Sequence, residues 1–360
     1  MHHEFAVIGG GIAGSTITYE LLKRNKKVIL FDDEDTKATI VAGGLINPIM
    51  GRKMNIAWKE PHIFEFAKNY YQEIEKTIKS NFFIEKNIFR PFTTENQKNE
   101  LIDKLENDKN ITKFILKIQD GKIYNFSNDS NGGMIIKGAR INTKIYIKNI
   151  KKHLIKKKSY INKNIDENKI KLGESFFKIE DLKFEKLIFA KGYKEKLKGF
   201  FSYLPFEPAK GEIIILECKK LNFKEIYNRH ASLIHLKGNK FYLGGTYEWN
   251  TWNTLTNEWA KLELLEKFKK ITNLKCKVIS QKAHIRPSTL DREPFLGEHP
   301  KYKNIFILNG FGTRGISMAP YLSNLLVNNI EKIDRIPNHY NIKRYEKYYN
   351  ILNHFKNQNF

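Results

Sequence analysis

Phe5-Ala6-Val7-Ile8-Gly9-Gly10-Gly11-Ile12-Ala13-Gly14-Ser15 opens the chain, and Thr16 to Leu22 followed by Val28-Ile29-Leu30-Phe31-Asp32 completes the unit that decides the fold. Four apolar residues, a turn carrying Gly9, Gly11 and Gly14, an apolar-periodic segment (Ile12, Ile17, Leu21, Leu22) and a second apolar run ending in an acid spell strand, helix, strand. The unit is a dinucleotide-binding βαβ. Gly9 allows the tight turn, Gly11 has no Cβ to hold a pyrophosphate away from the backbone, and Gly14 lets the helix lie close on the sheet. Ile12 and Ala13 begin that helix, so the phosphates meet free N–H groups and roughly +0.5 charge at its N-terminus. Asp32 lies about 20 residues past the first glycine, where a carboxylate accepts ribose hydroxyls and repels a 2′-phosphate, which argues against NADP. The motif alone does not separate NAD from FAD.

Outward from this unit, 360 residues suffice for about two domains, and a 41% hydrophobic fraction with 25 Phe and 17 Tyr supplies a core. There is no run of about twenty apolar residues, and the first strand starts at Phe5, which leaves no room for a signal peptide or a membrane span. Cys218 and Cys276 lie far apart without C-x-x-C or metal-ligand spacing. A cytoplasmic, metal-free protein without structural disulfides is expected. The net charge of +24 raises a nucleic-acid partner, because clustered Lys and Arg are the footprint of phosphate binding. The basic residues are, however, mostly Lys, spread along the whole chain among Asn and Ile, as drift toward A/T-rich codons would leave them.

Further along, Gly43-Gly44-Leu45-Ile46-Asn47-Pro48 reads as an extended segment passing close to something flat, with Gly51-Arg52 after it. A helix is expected from about Trp58 to Ile78, on the stripe Phe64, Ala67, Tyr71 and Ile74, then short strand-like runs with polar turns over residues 82 to 130. Asn128 to Gly133 is a loop, and Thr143 to Lys156 a basic amphipathic helix. Leu187-Ile188-Phe189-Ala190-Lys191-Gly192 is an apolar strand whose Ala190 and Gly192 either let the backbone pass a cofactor or make a plain strand-end turn. Strands at Glu212–Leu216 and Phe241–Tyr247 and a helix from about Asn257 to Phe268 follow.

The second informative region is His284-Ile285-Arg286-Pro287 to Gly297, followed by Asn304 to Asn309, Gly310-Phe311-Gly312-Thr313-Arg314-Gly315-Ile316 and an apolar helix from Tyr321 to Val327. A strand, a turn holding Gly310, Gly312 and Gly315, and a helix make a second backbone cradle. Its helix N-terminus suits negative charge on a flavin ring.

These segments, taken in order, resemble the D-amino-acid oxidase family of FAD enzymes, the group of glycine, sarcosine and D-amino-acid oxidases. The matching stretches are Gly9 to Asp32, Gly43 to Pro48, Gly133 to Gly138, Leu187 to Gly192, Pro208 to Gly211, Arg286 to Gly297 and Gly310 to Pro320. The resemblance implies an α/β fold: a Rossmann-like FAD-binding domain of residues 1–55, 135–205 and 275–360, interleaved with an α+β substrate domain of residues 56–134 and 206–274 on a mixed, largely antiparallel sheet. It implies FAD lying extended, its adenine end by Gly9, Gly11, Gly14 and Asp32, and its ring system near Gly43, Gly44, Leu45 and Gly312. Thr313, Arg314, Gly315 and Ile316 complete that end.

Arg286 inherits the family's role of gripping a substrate carboxylate, for which a guanidinium fork is suited; pairing with Asp291 or Glu293 is the structural alternative. Arg52 and Arg314 are the next candidates. Tyr247, Trp249 and His284 are read as pocket-lining or core. No cysteine follows Arg286 where sarcosine oxidases attach flavin, so FAD is expected to be non-covalent. The implied reaction is oxidation of a C–N bond beside a carboxylate in a small amine or amino acid. The Gly310 to Pro320 stretch also resembles the flavin-oxidase half of the bifunctional tRNA enzyme that removes a carboxymethyl group from modified wobble uridine, so tRNA is a second expected partner. That enzyme's methyltransferase half is missing, and the Asn47 to Arg52 segment departs from the glycine oxidase pattern.

Overall fold

Two sheets organise the chain, each built from segments distant in sequence. The computed structural model describes residues 2–33, 35, 37–51 and 53–350. In the first sheet, His2–Ile8 pairs in parallel with Val28–Asp32 on one side and Leu182–Phe189 on the other. Tyr160–Asn162 extends the parallel ladder beyond Val28–Asp32, and Ile305–Asn309 extends it beyond Leu182–Phe189. Val28–Asp32 and Ile305–Asn309 are near-continuous apolar runs, as strands covered on both faces are, and they are buried at every position.

The helices Ile12–Lys23 and Gly315–Ile330 lie side by side on one face, joined by Thr16 Oγ1 and Ser323 Oγ at 2.9 Å. Ile17, Leu21, Leu322 and Leu326 are fully buried between them and the sheet, at about 1.5 to 3 kcal/mol each. A third helix, Ile63–Ile78, packs across them, with Tyr70 and Tyr71 donating to the Thr16 and Ile316 carbonyls at 2.7 Å each. Its start falls five residues later than the sequence suggests. Trp58, read as the start of the helix, is instead buried ahead of it and donates to Ser317 Oγ at 3.0 Å.

The second sheet is mixed and largely antiparallel. Its order runs Lys277–Arg286, Ala209–Glu217, Lys240–Gly244, Ser232–His235, Ile226–Asn228, Ile88–Pro91, Gly133–Ile136, Ile115–Gln119, with Glu248–Trp249 also paired to Ala209–Glu217. Ile226–Asn228 and Ile88–Pro91 are its parallel pair. Lys277–Arg286 and Gly133–Ile136 both pair in this sheet.

Two further expectations are corrected. Residues 82 to 130 are not all short strands: Glu95–Asn107 is a helix, with Leu101 as its one buried residue, so no apolar stripe announced it. The two cysteines are bonded to each other, not free. The ladder from Ala209↔Arg286 to Glu217↔Lys277 brings Cys218 and Cys276, each one step past its end, to a Cα separation of 4.8 Å across 58 residues of sequence. Among the described residues no helix is long and apolar enough to cross a membrane.

Candidate cofactor and substrate site

Between the two sheets runs a cavity of about 940 Å³, near the top of the roughly 300 to 1,000 Å³ typical of ligand sites. At one end, the turn from the first strand holds Gly9 at φ +104°, and Gly14 lies so close beneath it that a Cβ there would sit 1.7 Å from the Gly9 carbonyl oxygen. Gly11 differs. A Cβ on it would meet only Thr39 Oγ1, at 3.6 Å, and would otherwise stand in the cavity, so protein packing does not require the glycine there. The helix Ile12–Lys23 starts at Gly11 without a side-chain cap and without an acid in its first turn, although Ile12 N–H reaches Thr39 Oγ1 at 3.0 Å. An uncapped helix N-terminus behind a bare backbone is the geometry a pyrophosphate fits. Asp32, at the end of its strand, accepts from Gly10 N–H at 3.0 Å and from Lys37 Nζ at 3.1 Å while lining the cavity.

The other end is assembled from three segments. Gly43 and Gly44 are drawn against Ala139–Ile141, with Arg140 Nε donating to Gly43 O at 3.1 Å and Ile141 N–H to Gly44 O at 2.8 Å. Gly312 N–H donates to Pro287 O at 3.0 Å, which ties the second glycine turn directly to Arg286-Pro287. Thr313, Arg314, Gly315 and Ile316 bring the N-terminus of the helix Gly315–Ile330 to the same wall, again without a side-chain cap. Every expected cofactor residue lines this cavity except Gly14 and Gly310, whose roles are packing ones. The cavity has the bare backbone and the room that the extended FAD expected from the sequence would need: Gly11 to Ala13 would meet its phosphates, and Gly43, Gly44, Leu45 and Gly312 its flavin ring.

Arg286 ends its strand at the cavity wall. Its Nη1 donates to Thr246 O at 2.9 Å, and its guanidinium lies 4.3 Å from the centroid of the Tyr247 ring. Gly211 makes room for it, since a Cβ there would fall 2.0 Å from Nη2. Neither acid considered as its partner reaches it: Asp291 binds Arg344 at 2.8 Å, and Glu293 lies 3.5 Å from Lys59 and 3.8 Å from Arg314. Among the described residues Arg286 has no carboxylate partner. Thr246 is itself fixed by reciprocal bonds with Glu212, the N–H of Glu212 donating to Thr246 Oγ1 at 2.9 Å and that of Thr246 to Glu212 O at 3.1 Å.

Arg314 faces the cavity, but its guanidinium is occupied by the carbonyls of Ala57, at 2.9 Å, and Arg292, with Glu293 beside it, which makes it a clamp between segments. Arg52 lies outside the described residues. Tyr247 and His284 line the cavity, whereas Trp249 is half exposed and stacks on Tyr247 with centroids 6.4 Å apart.

Sequence reasoning missed two cavity residues. Tyr242 stands against Gly43, and burial pushes its hydroxyl up to about 12 despite the opposing Arg286 charge, so the phenol is neutral near pH 7 and able to donate. Arg90 enters from Ile88–Pro91 and donates to the Ile49 carbonyl at 3.4 Å and to that of Gly51. Nothing local in the sequence marks either, because both act through contacts across the sheet.

The chain is similar over its length to known flavoenzymes. It is 25% identical to glycine oxidase of Bacillus subtilis (strain 168), over 91% of this chain and 94% of that one. Its fold matches the crystal structure of glycine oxidase from Bacillus cereus ATCC 14579, with a TM-score of 0.78 at 19% identity, covering 92% and 96% of the two chains. It matches L-proline dehydrogenase from P. horikoshii with a TM-score of 0.80 at 17% identity, covering 96% and 98%. A family profile described as DAO, FAD dependent oxidoreductase, matches residues 4–328, and the chain belongs to that family.

Proposed function

We propose that this FAD-dependent oxidoreductase oxidises the C–N bond of a small amine or amino acid next to a carboxylate, giving an imine that water hydrolyses. The observation that carries the reading is Arg286, a guanidinium held at the cavity wall by Thr246 O and the Tyr247 ring with no acid of its own among the described residues. An unpaired fork of this kind binds a carboxylate in two-point fashion and so orients the carbon beside it. Tyr242 supplies a neutral donor on the same wall. FAD supplies the hydride acceptor, and the chain's part is to hold, orient and shield. His230, the other titratable cavity residue of interest, is held below its ordinary value by burial and by Arg229, so it is neutral at pH 7 and adds no fixed charge. Both cysteines lie in one disulfide, which supports non-covalent FAD.

The glycine oxidase relative favours a small amino acid, and the amine itself is chosen by experiment. Holoprotein is incubated with glycine, sarcosine, proline and D-amino acids and with their decarboxylated analogues, and reduction of the flavin is followed together with the carbonyl product, an oxo acid or an aldehyde. Product from a carboxylate-bearing amine, and none from its decarboxylated analogue, is expected. Equal turnover of both would refute the reading. The tRNA expectation draws on net charge and on the likeness of the Gly310 to Pro320 stretch, and no feature of the site among the described residues adds to it.

A further inference from the structure

Arg286 has a counterpart across the cavity. Among the described residues eight Lys and Arg side chains line the cavity, and six of them hold carboxylates, as Lys37 holds Asp32, Lys194 holds Asp33 and Arg229 holds Asp129. Arg286 and Arg90 hold none. Arg90 is half-buried, as Arg286 is, and the burial it has holds its guanidinium below the usual arginine range, yet an arginine keeps its proton in a protein. Two backbone carbonyls offset part of the desolvation cost of such a cation, but only an anion neutralises it. The same reasoning that assigns a carboxylate to Arg286 therefore assigns an anion to Arg90.

The spacing says what kind of molecule carries both. Between the strand of Arg286 and that of Arg90 lie Ala209–Glu217, Lys240–Gly244, Ser232–His235 and Ile226–Asn228. Five strand spacings amount to about 24 Å of sheet between the two backbones, from which each arginine reaches inward. The strip between them is continuous cavity floor, since Gly211, Tyr242, Ile234 and Asn228, one from each intervening strand, all line it. Glycine or sarcosine cannot touch both ends. The phosphate cradle at Gly9 to Ala13 belongs to the other sheet, so Arg90 stands on the substrate side of the cavity.

We propose that the substrate is an elongated amine: the carboxylate beside the reacting C–N bond is held by Arg286, and a second anionic group at the far end is held by Arg90. This rests on the proposed amine oxidation and takes an elongated, doubly anionic amine in place of the small amino acid that the glycine oxidase likeness favours, with Arg90 as the residue that selects it.

The test is a binding measurement on holoprotein, read from the visible spectrum of the flavin, with α,ω-dicarboxylates and monocarboxylates of matched and increasing chain length. At one chain length the dicarboxylate is expected to bind about tenfold or more tighter than its monocarboxylate, as one charge-assisted contact provides. Arg90→Gln is expected to bring that ratio near one, and Arg90→Lys to retain part of it. The proposal is overturned if wild type shows no such preference at any length, which needs no variant at all, or if Arg90→Gln keeps it. It is equally overturned if folded Arg90→Gln has lost its flavin, since Arg90 then serves the cofactor. Amine oxidation is read separately, by bleaching of the flavin with carboxylate-bearing amines; its failure would remove the chemistry and leave the anion site standing.

Discussion

Replacing Arg286 by alanine separates holding the fold from holding the substrate. In the free protein the guanidinium makes one good hydrogen bond, to Thr246 O at 2.9 Å, and one ring contact, to Tyr247 at 4.3 Å. A hydrogen bond from a charged donor contributes about 1.5 to 3 kcal/mol when buried and an exposed cation–π contact about 0.5 to 1. Arg286 is only half-buried and water replaces the lost donor, so the stability cost should be about 1 to 3 kcal/mol, a fall of a few degrees in Tm. A carboxylate substrate loses more. Truncating one partner of a buried charge pair costs about 2 to 5 kcal/mol, or roughly 30-fold to several thousand-fold in kcat/KM. Arg286→Ala should therefore keep its FAD and its fold and lose activity on that scale, while Arg286→Lys recovers only part, because an ammonium cannot reproduce the fork. The assays are flavin content, a thermal melt and steady-state kinetics on the best amine. An alanine variant that turns over a carboxylate substrate as fast as the parent would place the anchor elsewhere.

Gly211→Ala should act on the same step from behind, since its Cβ would fall 2.0 Å from Arg286 Nη2 and displace the guanidinium; a rise in KM larger than the fall in Tm accounts for is expected. Gly11→Val should fold but purify without flavin, because that side chain enters the cradle and not the protein core, whereas Gly14→Ala should fail to fold, its Cβ lying 1.7 Å from Gly9 O; a well-folded yellow Gly14→Ala would contradict the packing argument. Reducing the Cys218–Cys276 bond should lower stability by about 2 to 4 kcal/mol, seen as a lower Tm with reductant. Stability should also fall as pH rises through Glu195. Burial pushes this carboxyl up to about 8 although Lys191 opposes the shift, so the folded state binds a proton that the unfolded chain releases near pH 4.5. The contribution is whole below that value and is lost toward pH 8, and Glu195→Gln should flatten the slope.

What the sequence disclosed follows the range of the interactions involved. The turn at Gly9 to Gly14 and the acid at Asp32 are local, and the glycines at 43, 44 and 312 punctuate short segments, so their part in one cavity could be read along the chain. The helix Thr143–Lys156 could be read for the same reason, having an Asn142 cap and an apolar stripe. The helix Glu95–Asn107 could not, because it buries only Leu101. The disulfide escaped because two cysteines 58 residues apart meet only through the register of a long antiparallel ladder. Arg90 escaped likewise: its partners lie at Ile49 and Gly51, and that it has no counter-ion among the described residues shows only once six other cavity cations are seen to be paired.

The most direct measurement is anaerobic reduction of the bound flavin by a carboxylate-bearing amine, with hydrogen or deuterium on the carbon next to nitrogen. A yellow protein is expected, whose visible band bleaches without oxygen, more slowly with the deuterated amine, and far more slowly again in Arg286→Ala. A protein that takes up no FAD, or whose FAD no carboxylate-bearing amine reduces, would contradict the proposed amine oxidation.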